Sequence, residues 1–178
     1  SETARAAIAA GASLINDVWG LLRDQKLAKV AAEMGVPLVL THNQEGYEYD
    51  NLMAELVAGI RHSMETALRA GVPHEHIIVD PGIGFGKKAE HNLEILRRLD
   101  EFRVAVGRPV LIGTSRKAFI GRILGGLPPN ERIEGTAATV AVAIARGADI
   151  VRVHDVKQIA RVCRMTDAII RNTATNDC

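Results

Sequence analysis

Short runs of aliphatic residues alternate along this chain with longer stretches whose apolar positions recur every three to four residues. The first pattern belongs to buried strands and the second to amphipathic helices. Together they predict helices over 1–10, 23–34, 49–70, 90–106, 117–124, 133–146 and 156–172. They predict strands over 13–18, 37–42, 77–80, 109–113 and 149–154. Gly11, Gly35, Gly71 and Gly147 follow helical stretches directly, where glycine ends a helix. Pro37 heads its strand, the place where a missing N–H is tolerated. The tail 173–178 carries no pattern and is expected to fray.

This order is five βα units, with right-handed crossovers expected between parallel strands. No linker, internal repeat or low-complexity stretch interrupts it, so 1–178 reads as one domain. Two α/β architectures fit: an open doubly wound sheet and a closed (β/α)8 TIM barrel. A barrel needs eight strands and about 250 residues. The chain opens inside a helix with no strand before it. The reading is therefore an incomplete barrel with five of the eight βα units, truncated on its N-terminal side.

Composition narrows the picture. Aromatics are only 3% of the chain, so the core must be built from Ala, Val, Ile and Leu. That favours helices packed on a parallel sheet. A net charge of +1 gives no overall reason to expect nucleic acid, so any anion site must be local. No apolar run approaches the ~20 residues of a membrane span. Residues 1–5 lack the pattern of a signal peptide. Cys163 and Cys178 have no metal-ligand spacing, and a cytoplasmic location is expected.

Each strand ends in polar residues or a Gly-rich turn, which is what an active site looks like in both architectures. Arg152 and His154 lie two apart and share a strand face, with Val151 and Val153 turned toward helices. With Lys117 and Arg116 one strand away they form a cationic pocket suited to pyrophosphate or carboxylate. The structural alternative is an ion-pair network, for instance Arg152 with Asp155 or Asp17. Asp80 either initiates a turn or accepts two N–H bonds from an amidine-like edge of a heterocycle. Asn16 offers such a ring both a donor and an acceptor.

Other residues divide between ligand and packing roles. Gly82-x-Gly84-x-Gly86 is not a dinucleotide fingerprint and Gly86-Lys87-Lys88 is not a P-loop. Its glycines are expected to take positive φ and to let Phe85 swing over a ligand, the alternative being Phe85 in the core. His74-x-His76 reads as solvated loop histidines rather than a zinc pair. His42 either lines the site or caps its strand, and Trp19 either stacks on a ligand or packs.

Five segments, in order, carry a resemblance. They are Ile15-Asn16-Asp17-Val18, Asp80-Pro81-Gly82-Ile83-Gly84-Phe85-Gly86-Lys87, Thr114-Ser115-Arg116-Lys117 with Phe119-Ile120-Gly121, Glu134-Gly135-Thr136-Ala137, and Arg152-Val153-His154-Asp155-Val156. Together they resemble the dihydropteroate synthases of the pterin-binding (β/α)8 family, over the last two-thirds of a member. The resemblance implies condensation of 6-hydroxymethyl-7,8-dihydropterin pyrophosphate with p-aminobenzoate in folate biosynthesis. Asn16, Asp80 and Lys117 would hold the pterin. Arg152 and His154 would bind the leaving pyrophosphate with Mg2+ assisting, the metal's ligands coming from an N-terminal loop outside this segment. Lys117, Ser115 and Phe85 would border the p-aminobenzoate pocket, where sulfonamides compete. A homodimer through the late helices is implied, and the segment alone is expected to be inactive. Thr41-His42-Asn43 stands where many members carry Met-His-Met, so a thioether contact to the pterin is not expected. Two other readings are a corrinoid-dependent methyltetrahydrofolate methyltransferase, which would not need the Arg-Val-His anion site, and a non-catalytic pterin-binding module.

Overall fold

All five predicted strands form, and they lie side by side in sequence order. The computed structural model describes residues 1–171, so the 173–178 tail and Cys178 lie outside the described residues. Helix α1 (Glu2–Ala9) precedes β1 (Ile15–Asp17), α2 (Lys26–Met34), β2 (Leu38–Thr41) and α3 (Leu52–Arg69). Strand β3 (Ile77–Asp80) leads to α4 (Ala89–Arg97) and α5 (Leu99–Val106). Strand β4 (Leu111–Ile112) leads to α6 (Ala118–Ile123) and α7 (Ile133–Ala145), and β5 (Ile150–Val151) to α8 (Val156–Arg171).

β1, β2 and β3 pair in parallel, as do β4 and β5. A parallel bridge from Val79 to Val110 joins the two groups into one arc. A doubly wound sheet reverses its strand order at a switch point; this arc does not. It also curls. In a flat sheet, the tips of the first and fifth strands would stand about 19 Å apart, four spacings of about 4.8 Å. Yet Arg152, just past β5, reaches the Asn16 side chain on β1. The arrangement is an incomplete TIM barrel.

Side-chain alternation gives the barrel its two faces. Leu38, Leu40, Ile77, Val79 and Ile112 are fully buried and pack outward, in one core with Leu56 and Ile60 of α3 and Leu99 and Phe102 of α5. Their neighbours Asn16, Thr41 and Asp80 therefore face the barrel interior. A smaller cluster of Val140, Ile144 and Ile159 seats α7 and α8 against Val151 and Val153, the helix-facing side predicted for both valines.

Two of the differences from the expected helix boundaries have clear local reasons; α2 also starts later than expected, at Lys26 rather than 23. The third helix starts at Leu52 rather than 49 because the Asn51 side chain caps it, accepting from the Ala54 N–H at 3.1 Å. The predicted helix over 90–106 is two helices, parted at Arg98, whose backbone leaves the helical region (φ −112°, ψ 24°). The guanidinium of Arg98 bridges the break, donating to Glu94 and Glu101. His74 and His76 form a 3-10 turn ahead of β3, at the end of the barrel opposite the polar strand tips. Among the described residues, no helix is long and apolar enough to cross a membrane.

Candidate active site

Residues in β1 and after β3, β4 and β5 converge at the C-terminal mouth of the arc. A cavity of about 410 Å3 is lined there by Asn16, Phe85, Ser115, Lys117, Arg152 and His154. These are six of the seven residues that the sequence singled out for ligand binding. The seventh, Asp80, lies beneath them, 1% exposed. A second cavity of about 500 Å3, bordered by Gly84, Lys87, Phe119 and Arg122, shares Lys117 with the first.

Asp80 is held from two directions. Its Oδ1 accepts from the Gly82 N–H at 2.7 Å, the local turn bond that an Asp before Pro-Gly makes. Its Oδ2 accepts from Arg152 Nη2 at 3.0 Å. Burial pushes the Asp80 carboxyl above the usual range, while the Gly82 N–H and the Arg152 guanidinium pull it back. Each carboxylate oxygen retains a lone pair for a ligand donor. Arg152 also donates to Asn16 Oδ1, so one guanidinium ties the tips of β1, β3 and β5 together.

Lys117 places its ammonium 4.1 Å from the centre of the Phe85 ring, a cation–π contact. Burial lowers its pKa, opposed by the charge of Asp80. Phe85 is thus neither core nor swung free. It lies half-buried under Lys117, at the rim of the cavity. Ser115 Oγ accepts from the His154 N–H at 3.1 Å and lies 2.8 Å from His154 Nδ1. A hydroxyl that accepts from the backbone has its own proton to give to Nδ1. Where the hydroxyl gives that proton to Nδ1, the ring proton sits on Nε2.

The structure corrects one expectation, for Arg116, and decides between the alternatives open for Arg152, His42 and Trp19. Arg116 is not part of the cationic pocket. Its guanidinium turns to Asp155, with Nη2 to Oδ1 at 2.7 Å and Nε to Oδ2 at 3.1 Å. Arg152 pairs with neither Asp155, which Arg116 occupies, nor Asp17, whose carboxylate accepts from the Trp19 and Leu21 N–H groups. Arg116 and Arg152 thus each pair with an acid, Asp155 and Asp80. His42 does not line the cavity. Strand alternation turns it toward α3, where its ring packs against Gly59. Trp19 stacks beneath the Arg23 guanidinium at 3.8 Å.

Lys87, at the end of the Gly-rich loop, is a site residue that the sequence pattern does not reveal. It is 6% exposed, and its ammonium lies 3.0 Å from His42 Nδ1 and donates to the Phe85 and His42 carbonyls. Burial lowers it to about 7, and the same burial together with the Lys87 charge lowers His42 to about 3. No periodicity marks such a lysine, because its acceptors are loop carbonyls. The glycines around it take positive φ as expected. At Gly82 a Cβ would fall 1.9 Å from the His42 carbonyl oxygen, so the loop can pass only as glycine.

Among the described residues, no group of three His, Cys, Asp or Glu is placed to hold a metal ion. The one buried acid of the site, Asp80, is engaged by Arg152 and Gly82.

Comparison with known proteins places this geometry. The chain is 51% identical to the dihydropteroate synthase of Bacillus subtilis over 170 residues, covering 96% of this chain and 59% of that protein. It is 49% identical to the enzyme of the same name from Clostridium beijerinckii, covering 96% and 63%. The chain thus spans about three-fifths of the length of these relatives. Its fold superposes on the dihydropteroate synthase of Clostridium difficile, solved in the presence of pteroic acid, with a TM-score of 0.92 at 44% identity, covering 96% of this chain and 64% of that one. The Thermus thermophilus enzyme in complex with 4-aminobenzoate superposes with a TM-score of 0.87 at 40% identity, covering 94% and 70%. The model of the pterin binding enzyme family matches residues 1–154, and this chain belongs to that family.

Proposed function

We propose that the whole protein is a dihydropteroate synthase: it joins p-aminobenzoate to 6-hydroxymethyl-7,8-dihydropterin pyrophosphate, giving 7,8-dihydropteroate and pyrophosphate in folate biosynthesis. One observation carries the reading. Lys117, Arg152 and His154 converge on one cavity, the buried carboxylate of Asp80 is bonded to Arg152 behind it, and Lys117 also borders the neighbouring cavity. That is a layout for bringing two small molecules together beside an anion site.

In this reading Asn16, Asp80 and Lys117 take the pterin ring. Arg152 and His154 take the pyrophosphate. Phe85, Ser115 and Lys117 border the p-aminobenzoate, where sulfonamides compete. The amine lone pair of p-aminobenzoate forms the new C–N bond at the pterin methylene. The C–O bond to pyrophosphate breaks, its electron pair leaves with the pyrophosphate, and the amine loses a proton to solvent. Positive charge that builds on the ring is stabilised by Asp80. Negative charge on the departing oxygens is stabilised by the Arg152 guanidinium and the His154 imidazole. The aromatic amine is already nucleophilic, so alignment outweighs base strength.

Mg2+ belongs to the proposal as a charge-neutralising partner of the pyrophosphate. Its protein ligands, in the same proposal, come from the part of the protein outside this chain. A cytoplasmic location and a homodimer through α7 and α8 belong to the same proposal. Val156, Met165, Ile169 and Ile170 stand exposed on α8 and would be covered in such a dimer.

The test is turnover of the whole protein with Lys117→Ala and Arg152→Ala. Each is expected to lower kcat/KM by about a hundredfold or more, the size of effect that loss of one transition-state contact has elsewhere. Turnover of both variants within a factor of two of the parent would overturn the roles. Absence of dihydropteroate formation by the parent would overturn the function.

A further inference from the structure

Arg116 stands outside the anion pocket, its guanidinium turned to Asp155. What Arg116 does instead is visible in its backbone. Lys117 N–H donates to the Thr114 carbonyl at 3.1 Å, closing a four-residue turn over Thr114, Ser115, Arg116 and Lys117. The third residue of that turn, Arg116, has φ +59°. This is the position at which such turns take glycine. A bulky residue persists there only where its surroundings over-determine it.

Here they do. The Arg116 N–H donates to Thr136 Oγ1 at 3.2 Å, and its carbonyl accepts from Arg132 Nη1 at 2.7 Å. Its guanidinium is gripped at both oxygens of Asp155, a carboxylate only 17% exposed. The turn therefore hangs between α7 on one side and the residue before α8 on the other. Its other two members of consequence are Ser115, which contacts His154, and Lys117, which lies over Phe85.

The register explains how one contact can govern both. Leu111 pairs with Ile150, Ser115 with His154 and Arg116 with Asp155. All three pairs share an offset of 39 residues, so the β4–β5 alignment runs on through the tips. Asp155 adjoins His154 on one tip, and Arg116 separates Ser115 from Lys117 on the other.

We propose that Asp155 is a positioning residue that acts through Arg116. It holds the left-handed turn that presents Ser115 and Lys117, and so sets the Lys117 ammonium and the His154 imidazole in one geometry. Neither Asp155 nor Arg116 touches the cavity. The inference rests on the proposed function for its kinetic readout and on geometry for its content.

The test separates a backbone clamp from a charge effect. Glycine takes φ +59° without a clamp. In the whole protein, Asp155→Ala is expected to lower kcat/KM for the pterin pyrophosphate about tenfold, equivalent to about 1.4 kcal/mol, at a temperature where every variant is folded by circular dichroism. Arg116→Gly is expected to stay within about threefold of the parent. The double variant Asp155→Ala with Arg116→Gly is expected to recover to the level of Arg116→Gly, although the ion pair is gone. A double variant as slow as Asp155→Ala would overturn the proposal, as would an Asp155→Ala whose kinetics match the parent while only its thermal midpoint falls. If Asp155→Ala does not fold, Asp155→Asn takes its place and must show the same loss and the same rescue by glycine. If the parent forms no dihydropteroate, the function fails separately. The clamp is then read from calorimetric binding of inorganic pyrophosphate across the same variants, where it must show the same loss and rescue.

Discussion

Arg152 donates to Asp80 at 3.0 Å from two strands away, and the two partners differ sharply in exposure: 40% for the arginine side chain, 1% for the aspartate. The pair is therefore asymmetric. Removing Asp80 leaves a guanidinium that water can still reach. Removing Arg152 leaves a carboxylate in the barrel floor with the Gly82 N–H as its one hydrogen-bond donor among the described residues and the Lys117 charge nearby.

Stability should follow that asymmetry. Arg152→Met is expected to destabilise the fold by about 1–3 kcal/mol, the range for a buried polar group left short of a partner. Asp80→Asn keeps an acceptor for Arg152 but turns its NH2 toward the Gly82 N–H, losing one of the two bonds the carboxylate accepts. It is expected to cost less because it leaves no charge buried without its counter-ion. Urea unfolding of both variants checks the order. An Asp80→Asn that unfolds at lower urea than Arg152→Met would mean that the carboxylate, not its neutralisation, holds the floor together.

The pH dependence of stability should report on His42 and Lys87. Burial, reinforced by the Lys87 charge, lowers His42 from 6.5 to about 3. Between those values the unfolded chain binds a proton that the folded chain refuses, so stability falls as pH drops from 6.5 toward 3. Burial lowers Lys87 from 10.5 to about 7. Here too the unfolded state holds more protons, so stability rises as pH climbs from 7 to 10.5. Each tenfold change in proton affinity is worth about 1.4 kcal/mol. Lys87→Met is expected to flatten the alkaline slope and His42→Asn the acid one, measured as unfolding free energy against pH. Unchanged slopes would show that both groups keep their solution affinities.

Gly82 and Gly84 sit two apart at positive φ, but alanine at each should fail differently. At Gly82 the new methyl meets the His42 backbone carbonyl at 1.9 Å, and nothing there can yield. At Gly84 it meets the Lys117 side chain at 3.0 Å, and that flexible chain can move. Gly82→Ala is expected to destabilise by roughly 3 kcal/mol or more, the range of overpacking with backbone strain. Gly84→Ala is expected to cost about 1 kcal/mol in stability and to lower turnover through the displaced lysine. Paired thermal melts and kinetics of the two variants check this. Equal losses of stability would refute the distinction.

The 178-residue chain by itself is expected to form no dihydropteroate. Among the described residues β1 pairs only with β2 and β5 only with β4, which leaves both outer strand edges open. Such edges template association. A product assay on the isolated chain, with size-exclusion chromatography alongside, decides it. Clear turnover would refute the expectation.

The sequence by itself determined the βα rhythm, the five strands and which residues stand at their tips. Each depends on neighbours within a few positions: alternation on a strand, a three-to-four repeat on a helix, a glycine at a stop. Asp80, Lys117, Arg152 and His154 were legible for that reason. The partners were not. That Arg152 closes on Asp80 and Asn16, that Arg116 leaves the pocket for Asp155, and that His42 turns outward to Lys87 became visible only in the folded chain. These contacts join residues 72, 136, 39 and 45 positions apart. They depend on how far the sheet curls and on which face each strand buries. Local pattern decides what each tip carries; the curvature of the barrel decides what it meets.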